Sequence, residues 1–224
     1  MLWHTLDVDT PIPYTALSAE SVRNVDLDRY EVLVLPDGSY ADVFGKRGIE
    51  KIKAWVQNGG TIVAIKGASS FLRDKDVEIS KLKAWEPPKK KDDDKDKTAT
   101  DERYNDYRIP GSAFRTVMND RSYLTFGVPR PPAVLVEGST PFLPVAHKVD
   151  NILTIDAKEP LISGVAWPES IDRIKASAYL VTEPFGRGQV ITFADEPHFR
   201  LFWRGTLPLF LNAVLYAPSF PREN

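Results

Sequence analysis

The chain has 224 residues, of which 42% are hydrophobic, and a formal net charge of −2. This length and composition suffice for a packed core, and the lack of a basic excess argues against nucleic-acid binding. The sequence contains no Cys, which excludes disulfides, thiolate metal sites and a cysteine nucleophile, and no apolar run is long enough to span a membrane.

Residues 30–70 predict a strand, a helix and a second strand. The runs EVLVLP and TIVAI are short, β-branched and continuously apolar, which is typical of parallel strands covered by helices on both faces. Between them, residues 48–57 place Ile49, Ile52, Trp55 and Val56 on one helical stripe. A doubly wound domain usually begins with a strand, and none is evident before Trp3. We therefore expect either a fragment that starts just after its first strand or a pairing strand from a segment that the pattern does not assign.

Two segments follow this unit. Residues 71–85 predict a helix or two helical turns. Residues 87–103 are proline-led and densely charged, so they cannot bury enough apolar surface to offset the entropy of ordering. We predict a solvated, disordered insertion there, with a charged docking tail as the alternative.

The sequence pattern changes twice in the remainder of the chain. Residues 107–155 contain short β-like pieces separated by prolines, which indicates a β-rich insertion packed on the same domain, so that residues 1–224 form one unit. PESIDRIK then predicts a short helix, and Gly186-Arg187-Gly188 predicts a hairpin turn. An apolar C-terminal helix tolerates Pro208 within its first turn.

Three stretches of this sequence resemble a known fold family. DRYEVLVLPDGSY, WVQNGGTIVAI and GRGQVITFADEPHFRLFWRGTLPLFLNAVLYA resemble class I glutamine amidotransferase-like domains. More narrowly, they resemble the domain that follows the catalytic domain of bacterial zinc carboxypeptidase-like proteins. The resemblance implies an α/β, flavodoxin-like fold with a mostly parallel sheet flanked by helices. It also implies the peptidase domain of the same parent chain as partner, and an extracytoplasmic location if that parent is secreted.

The catalytic residues of that family are not matched here. An amidotransferase needs a Cys on a strand-to-helix elbow, activated by a His that a Glu orients. The elbow follows TIVAI, so Lys66 occupies the nucleophile position. After the strand QVITF, where the His is expected, the chain has Asp195 and Glu196, with His198 two residues later. We therefore predict a pseudoenzyme without amidotransferase or cysteine hydrolase activity.

Polar residues nevertheless collect where ligands bind in open α/β sheets, outside the carboxyl ends of the strands. The turns PDGS and KGAS present backbone N–H groups near a lysine and could hold an anion. Ser69 and Ser70 are interpreted as helix caps rather than nucleophiles. The ligand-binding candidates are Asp37, Gly38, Ser39, Lys66, Gly67, Asp195, Glu196, His198 and Arg200.

No metal or cofactor is predicted. The three histidines, His4, His147 and His198, are scattered and lack the spacing of a metal site.

Three functional hypotheses remain open at this point. The leading one is a non-catalytic accessory domain of a larger bacterial peptidase, with a role in binding a ligand or partner. The second is a hydrolase or lyase that uses Lys66 with Asp195 or Glu196. The third is a stand-alone small-molecule or carbohydrate-binding protein. A Lys66 closed into a salt bridge with no cavity beside it would disfavour the enzyme.

Overall fold

The structure is a computed structural model and describes residues 2–85, 108–138, 142 and 150–220. The charged segment 87–103 lies outside these residues, so the prediction made for it stays a prediction. The strands are β1 Val32–Leu35, β2 Thr61–Ile65, β3 Pro110–Phe114, β4 Thr116–Met118, β5 Val134–Glu137, β6 Asp150–Ile155, β7 Leu161–Ser163, β8 Ala178–Phe185 and β9 Gly188–Phe193. The helices are α1 Leu2–His4, α2 Ala41–Gln57, α3 Ala68–Arg73, α4 Pro168–Ile174 and α5 Leu207–Leu215.

The main sheet has six strands in the order β1-β2-β9-β8-β6-β4. The pairs β1–β2 and β2–β9 are parallel, whereas β9–β8, β8–β6 and β6–β4 are antiparallel. Every residue of β2 is buried, with Val63 and Ile65 in one apolar cluster and Ile62 and Ala64 in the other. Coverage of both faces explains the continuous apolar run, and the predicted α/β, flavodoxin-like fold is confirmed, with a sheet that is mixed.

Helix α2 begins at Ala41, whereas the apolar stripe predicts that it begins at residue 48. Gly45, with φ 58° and ψ 176°, interrupts the helical geometry and separates a short first turn from the main helix. The buried residues of the main helix include Ile52, Trp55 and Val56, as expected from the stripe. At its end, Gly60 is required because a Cβ there would lie 2.4 Å from the Trp55 ring.

The C-terminal predictions are confirmed. Strands β8 and β9 form the predicted hairpin, in which Phe185 pairs with Gly188 and leaves a two-residue loop. Gly186 in that loop has φ 62°, the left-handed conformation that glycine adopts without strain. Helices α4 and α5 lie where the sequence places them, and Pro208 falls in the first turn of α5.

The β-rich middle of the chain contributes to both sheets. Strands β4 and β6 extend the main sheet, while β3 and β5 join β7 in a three-stranded antiparallel sheet. One apolar cluster includes Ile109 and Val134 from the smaller sheet region together with Ile191 of β9. The described residues of this segment, 108–138 and 150–155, therefore contribute to the core.

The helix predicted for residues 71–85 is wrong beyond Arg73, where α3 ends. The chain then turns and continues without regular secondary structure, because the buried carboxylate of Glu183 on β8 binds it. Ser80 Oγ donates to Glu183 Oε2 at 2.5 Å, and Lys81 N donates to Oε1 at 2.8 Å. Ala84 then pairs with Phe142 in an isolated bridge.

Residues 2–31 contain no strand and form short helical turns, including Thr5–Asp9, Ala19–Arg23 and Leu27–Arg29. Within the described ranges, none of the helices is both long enough and apolar enough to cross a membrane.

Candidate functional site

Three turns lie side by side at the carboxyl ends of β1, β2 and β9, because these strands are adjacent and parallel. They carry Asp37, Gly38 and Ser39 after β1, Lys66 and Gly67 after β2, and Asp195 and Glu196 after β9. The topology therefore brings together most of the candidate residues that the sequence indicated.

The turn after β2 has the geometry of a sharp elbow. Lys66 has φ 53°, a left-handed conformation that costs free energy in a residue with a Cβ. Its backbone N donates to the carbonyl oxygen of Phe193 at 2.9 Å, which fixes the elbow against β9, and α3 begins two residues later. The elbow expected from the sequence is present, with a lysine at its apex.

The side chain of Lys66 points to the turn after β9. Its Nζ lies 3.2 Å from Asp195 Oδ1, and the two side chains are 24% and 2% exposed, respectively. The same carboxylate accepts Glu137 N on Oδ2 at 2.7 Å and Glu196 N on Oδ1 at 2.8 Å. Asp195 therefore links β2, β5 and β9, and its contacts are those of a buried structural anchor.

Two ionisable groups around Asp195 are shifted by burial. Tyr179 is buried, and its desolvation, together with the charges of Asp195 and Glu196, raises its pKa well above the usual value. Burial is also the main cause of a raised pKa for Glu196; Lys66 opposes this effect, and Asp195 and Asp37 reinforce it. Among the residues described, Glu196 Oε2 is buried and has no hydrogen-bond partner.

The turn after β1 is tied to the elbow through Asp37. Its Oδ1 accepts the backbone N–H of Gly67 at 2.9 Å. A Cβ at Gly67 would lie 2.5 Å from that same oxygen, so a larger residue there would displace the Asp37 side chain. Tyr40 donates its hydroxyl to the Pro36 carbonyl at 2.8 Å. Burial, with the negative charge of Asp37, raises the pKa of Tyr40 to about 12.

An open cleft of about 270 Å³ lies between the turn after β1 and the start of α3. Of the residues predicted from the sequence, Gly38, Ser39 and Gly67 line it, whereas Lys66, Asp195 and Glu196 do not. The sequence analysis missed Tyr40, Ala41, Phe71 and Asp74, although all four flank the turns that it singled out. The cleft is lined by Gly38, Ser39, Tyr40, Ala41, Gly67, Ser70, Phe71 and Asp74.

The capping role expected for Ser69 and Ser70 is wrong. Gly67 holds the N-cap position of α3, and both serines lie inside the helix. Ser69 is buried, while the Ser70 hydroxyl accepts a hydrogen bond from Arg73 at 3.3 Å and faces the cleft.

The last two ligand-binding candidates, His198 and Arg200, lie apart from the cleft. His198 is buried, with its ring centroid 5.4 Å from that of Phe210, and burial lowers its pKa to about 4. Arg200 is exposed and has φ 47°, and its guanidinium lies 5.0 Å from the Phe199 ring centroid. His198 therefore belongs to the core, and Arg200 to the surface.

Within the described ranges, no three His, Asp or Glu side chains converge in a way that could hold a metal ion. His147 lies outside those ranges, so its place in the molecule is not described.

No protein-family model and no curated protein sequence matches this chain. Its structure is similar to two cytoplasmic proteins of Salmonella typhimurium. STM3548 has a TM-score of 0.60 and 16% identity over 99% of this chain and 86% of that one. STM1381 has a TM-score of 0.59 and 13% identity over 96% of this chain and 85% of that one.

A protein from Bacteroides uniformis described as ThuA-like is also similar, with a TM-score of 0.51 and 13% identity over 91% of this chain and 75% of that one. Identities this low show the fold alone. The fold is that of class I glutamine amidotransferase-like domains, as in ThuA-like proteins.

Proposed function

We propose that this chain is a non-catalytic domain of the class I glutamine amidotransferase-like fold that binds a small ligand at the carboxyl edge of its sheet. One observation carries the proposal: the elbow that would present a nucleophile presents Lys66, whose ammonium group is closed onto Asp195 at 3.2 Å. An open cleft lies beside this elbow, and Lys66 does not line it.

The contacts of Lys66 support a structural role over a catalytic one. A Schiff-base lysine must present a free amine to its substrate, whereas this side chain is engaged by a buried carboxylate. Asp195 also accepts two backbone N–H groups, so its position is fixed by three partners. Removing either member of the pair is therefore expected to affect stability before it affects any chemistry.

The remaining parts of an acyl-transfer site also fail to assemble. A general base must come within hydrogen-bonding reach of its nucleophile. His198, the nearest histidine in sequence to the expected position, is buried against Phe210. The hydrolase or lyase alternative depends on Glu196, whose Oε2 is buried without a partner among the described residues and whose pKa burial raises. Those features suit an acid or base, but Lys66, the reacting group in that hypothesis, is engaged by Asp195.

A thermal-shift screen with carboxylates, sugars and short peptides tests the proposal. A ligand that binds only the native state at about 100 times its Kd stabilises it by about 2.7 kcal/mol, which raises the Tm of a chain of this length by roughly 5–10 °C. The matched variant is Lys66→Met, which leaves the lining of the cleft unchanged. We expect any ligand to stabilise both forms.

Two results would count against the proposal. Absence of stabilisation by every compound at saturating concentration would remove ligand binding. Hydrolysis of an ester or amide substrate by the wild type, lost in Lys66→Met with the fold intact, would instead establish the enzyme alternative.

A finer proposal concerns the biological setting. The C-terminal stretch from Gly186 to Ala213 supports an accessory role beside the peptidase domain of a bacterial zinc carboxypeptidase-like protein, extracytoplasmic if that parent is secreted. Only the sequence resemblance supports it. The test is the reading frame that encodes the chain: a peptidase domain upstream supports the accessory role, and its absence contradicts it.

A further inference from the structure

The cleft beside the elbow has a definite electrostatic character. Among its eight lining residues, Asp74 is the one that carries a charge at neutral pH, and none is Lys, Arg or His. A second carboxylate, Asp37, is not itself a lining residue but lies beside one, with its Oδ1 2.9 Å from the amide nitrogen of Gly67. The negative charge of Asp37 also contributes to the raised pKa of Tyr40, another lining residue.

Neither Lys66 nor Arg73 lines the cleft. Lys66 turns to Asp195 at 3.2 Å. Arg73 donates to the Ser70 hydroxyl at 3.3 Å, and its guanidinium lies 5.7 Å from the Phe142 ring centroid. The backbone N–H of Gly67, which an anion would need, is already taken by Asp37. The anion that the PDGS and KGAS turns suggested in the sequence therefore lacks both its lysine and one of its amides.

Aromatic rings complete the lining. Tyr40 and Phe71 both face the cleft, with ring centroids 5.9 Å apart and planes tilted by 56°. Faces of aromatic rings attract cations, and carboxylates beside such rings are a recurring way to hold an ammonium group and its alkyl chain. Ser39 and Ser70 add hydroxyls that can accept hydrogen bonds from a protonated amine.

We propose that the ligand of this cleft carries a positively charged amine, held by Asp37 and Asp74, with its alkyl part against Tyr40 and Phe71. This inference rests on the proposed ligand-binding function and adds the charge class of the ligand. Both carboxylates are exposed, so the attraction is moderate and is expected to weaken as salt is added.

The test uses three four-carbon probes that differ in charge: butylammonium, 1-butanol and butyrate. Backbone amide shifts of Ser39, Gly67 and Ser70 in ¹H–¹⁵N spectra report occupation of the cleft. We expect butylammonium to shift these amides at lower concentration than 1-butanol, and butyrate to leave them unchanged. Added salt should weaken the butylammonium effect.

Variants separate the cleft from nonspecific attraction. Asp74→Asn should weaken butylammonium binding by roughly fivefold, and the double variant with Asp37→Asn should weaken it further. Asparagine retains the Oδ1 acceptor that each carboxylate provides to a backbone N–H, so the fold is preserved. The matched control is Asp76→Asn, which removes an exposed charge from the same loop but does not line the cleft.

The outcomes test the preference for a cation separately from ligand binding itself. Equal or stronger binding of butyrate or 1-butanol overturns the cation inference while ligand binding stands. Equal loss in Asp76→Asn and Asp74→Asn overturns it as well, because the attraction is then not local. If all three probes leave the amides unchanged, the inference fails, and ligand binding itself fails only if the broader thermal-shift screen is also negative.

Discussion

His198 provides a quantitative test of the core beneath the candidate site. His198 is 4% exposed, its ring is tilted by 48° against that of Phe210, and its Nδ1 has no hydrogen-bond partner in the described part of the chain. Burial lowers its pKa from 6.5 to about 4, so the fold favours the neutral ring. A base whose pKa is depressed by folding binds its proton more readily in the unfolded chain. Stability is therefore lost as pH falls below about 6.5, and the loss is complete below about 4.

The size of the effect follows from these two pKa values. Linkage gives a loss of about 2 kcal/mol between pH 7.5 and pH 5 from this residue alone. The assay is urea unfolding followed by tryptophan fluorescence at both pH values, for the wild type and for His198→Leu. Other titrating groups are common to both proteins and cancel in the comparison. We expect the wild type to lose about 2 kcal/mol more than the variant. An equal loss in both proteins would refute the reasoning.

Substitutions at three further positions test the packing that positions the site, each by the free energy of unfolding. Asp195→Asn should cost roughly 2–3 kcal/mol, because its amide cannot serve both backbone donors and the Lys66 ammonium. Glu183→Gln should change stability by less than about 1 kcal/mol, because glutamine keeps an acceptor and removes a buried carboxylate whose pKa is raised by burial. Glu183→Ala should cost about 2–3 kcal/mol, because it leaves the Ser80 and Lys81 donors without their acceptor. Gly188→Ala should cost roughly 3 kcal/mol because its Cβ would lie 2.2 Å from the Gly60 carbonyl oxygen; the control Gly205→Ala, whose nearest neighbour is 3.8 Å away, should stay within about 0.5 kcal/mol.

The parts of the fold that could be predicted are those encoded by local patterns. The apolar runs of β1 and β2, the stripe of α2 and the glycine turn between β8 and β9 each specify their own conformation. The irregular path of residues 74–85 could not be predicted from such a pattern. It depends on Glu183, a residue about 100 positions away, whose carboxylate binds Ser80 and Lys81. Long-range polar contacts of this kind leave no periodic signal in the segment that they hold.

The candidate site, too, could be predicted only in the features that depend on local sequence. Strand ends could be located from the sequence, so the meeting of Asp37, Lys66 and Asp195 was expected. The directions of the side chains could not be predicted, and these directions decide which residues face the cleft. Tyr40 and Asp74 line it because the chain turns back after β1 and after α3, whereas His198 enters the core.

The ion pair between Lys66 and Asp195 has opposite consequences for two neighbouring places. At the turn after β9 it balances a carboxylate that is 2% exposed, and this places a charge pair where an amidotransferase would need a nucleophile and a base. At the cleft, Lys66 is turned away to Asp195, so none of the described lining residues beside Asp74 and the adjacent Asp37 is basic. The occupied nucleophile position and the proposed preference for a cationic ligand would then have a common origin. Lys66→Met separates the two: it should lower stability by leaving Asp195 unbalanced, and leave the affinity for butylammonium unchanged.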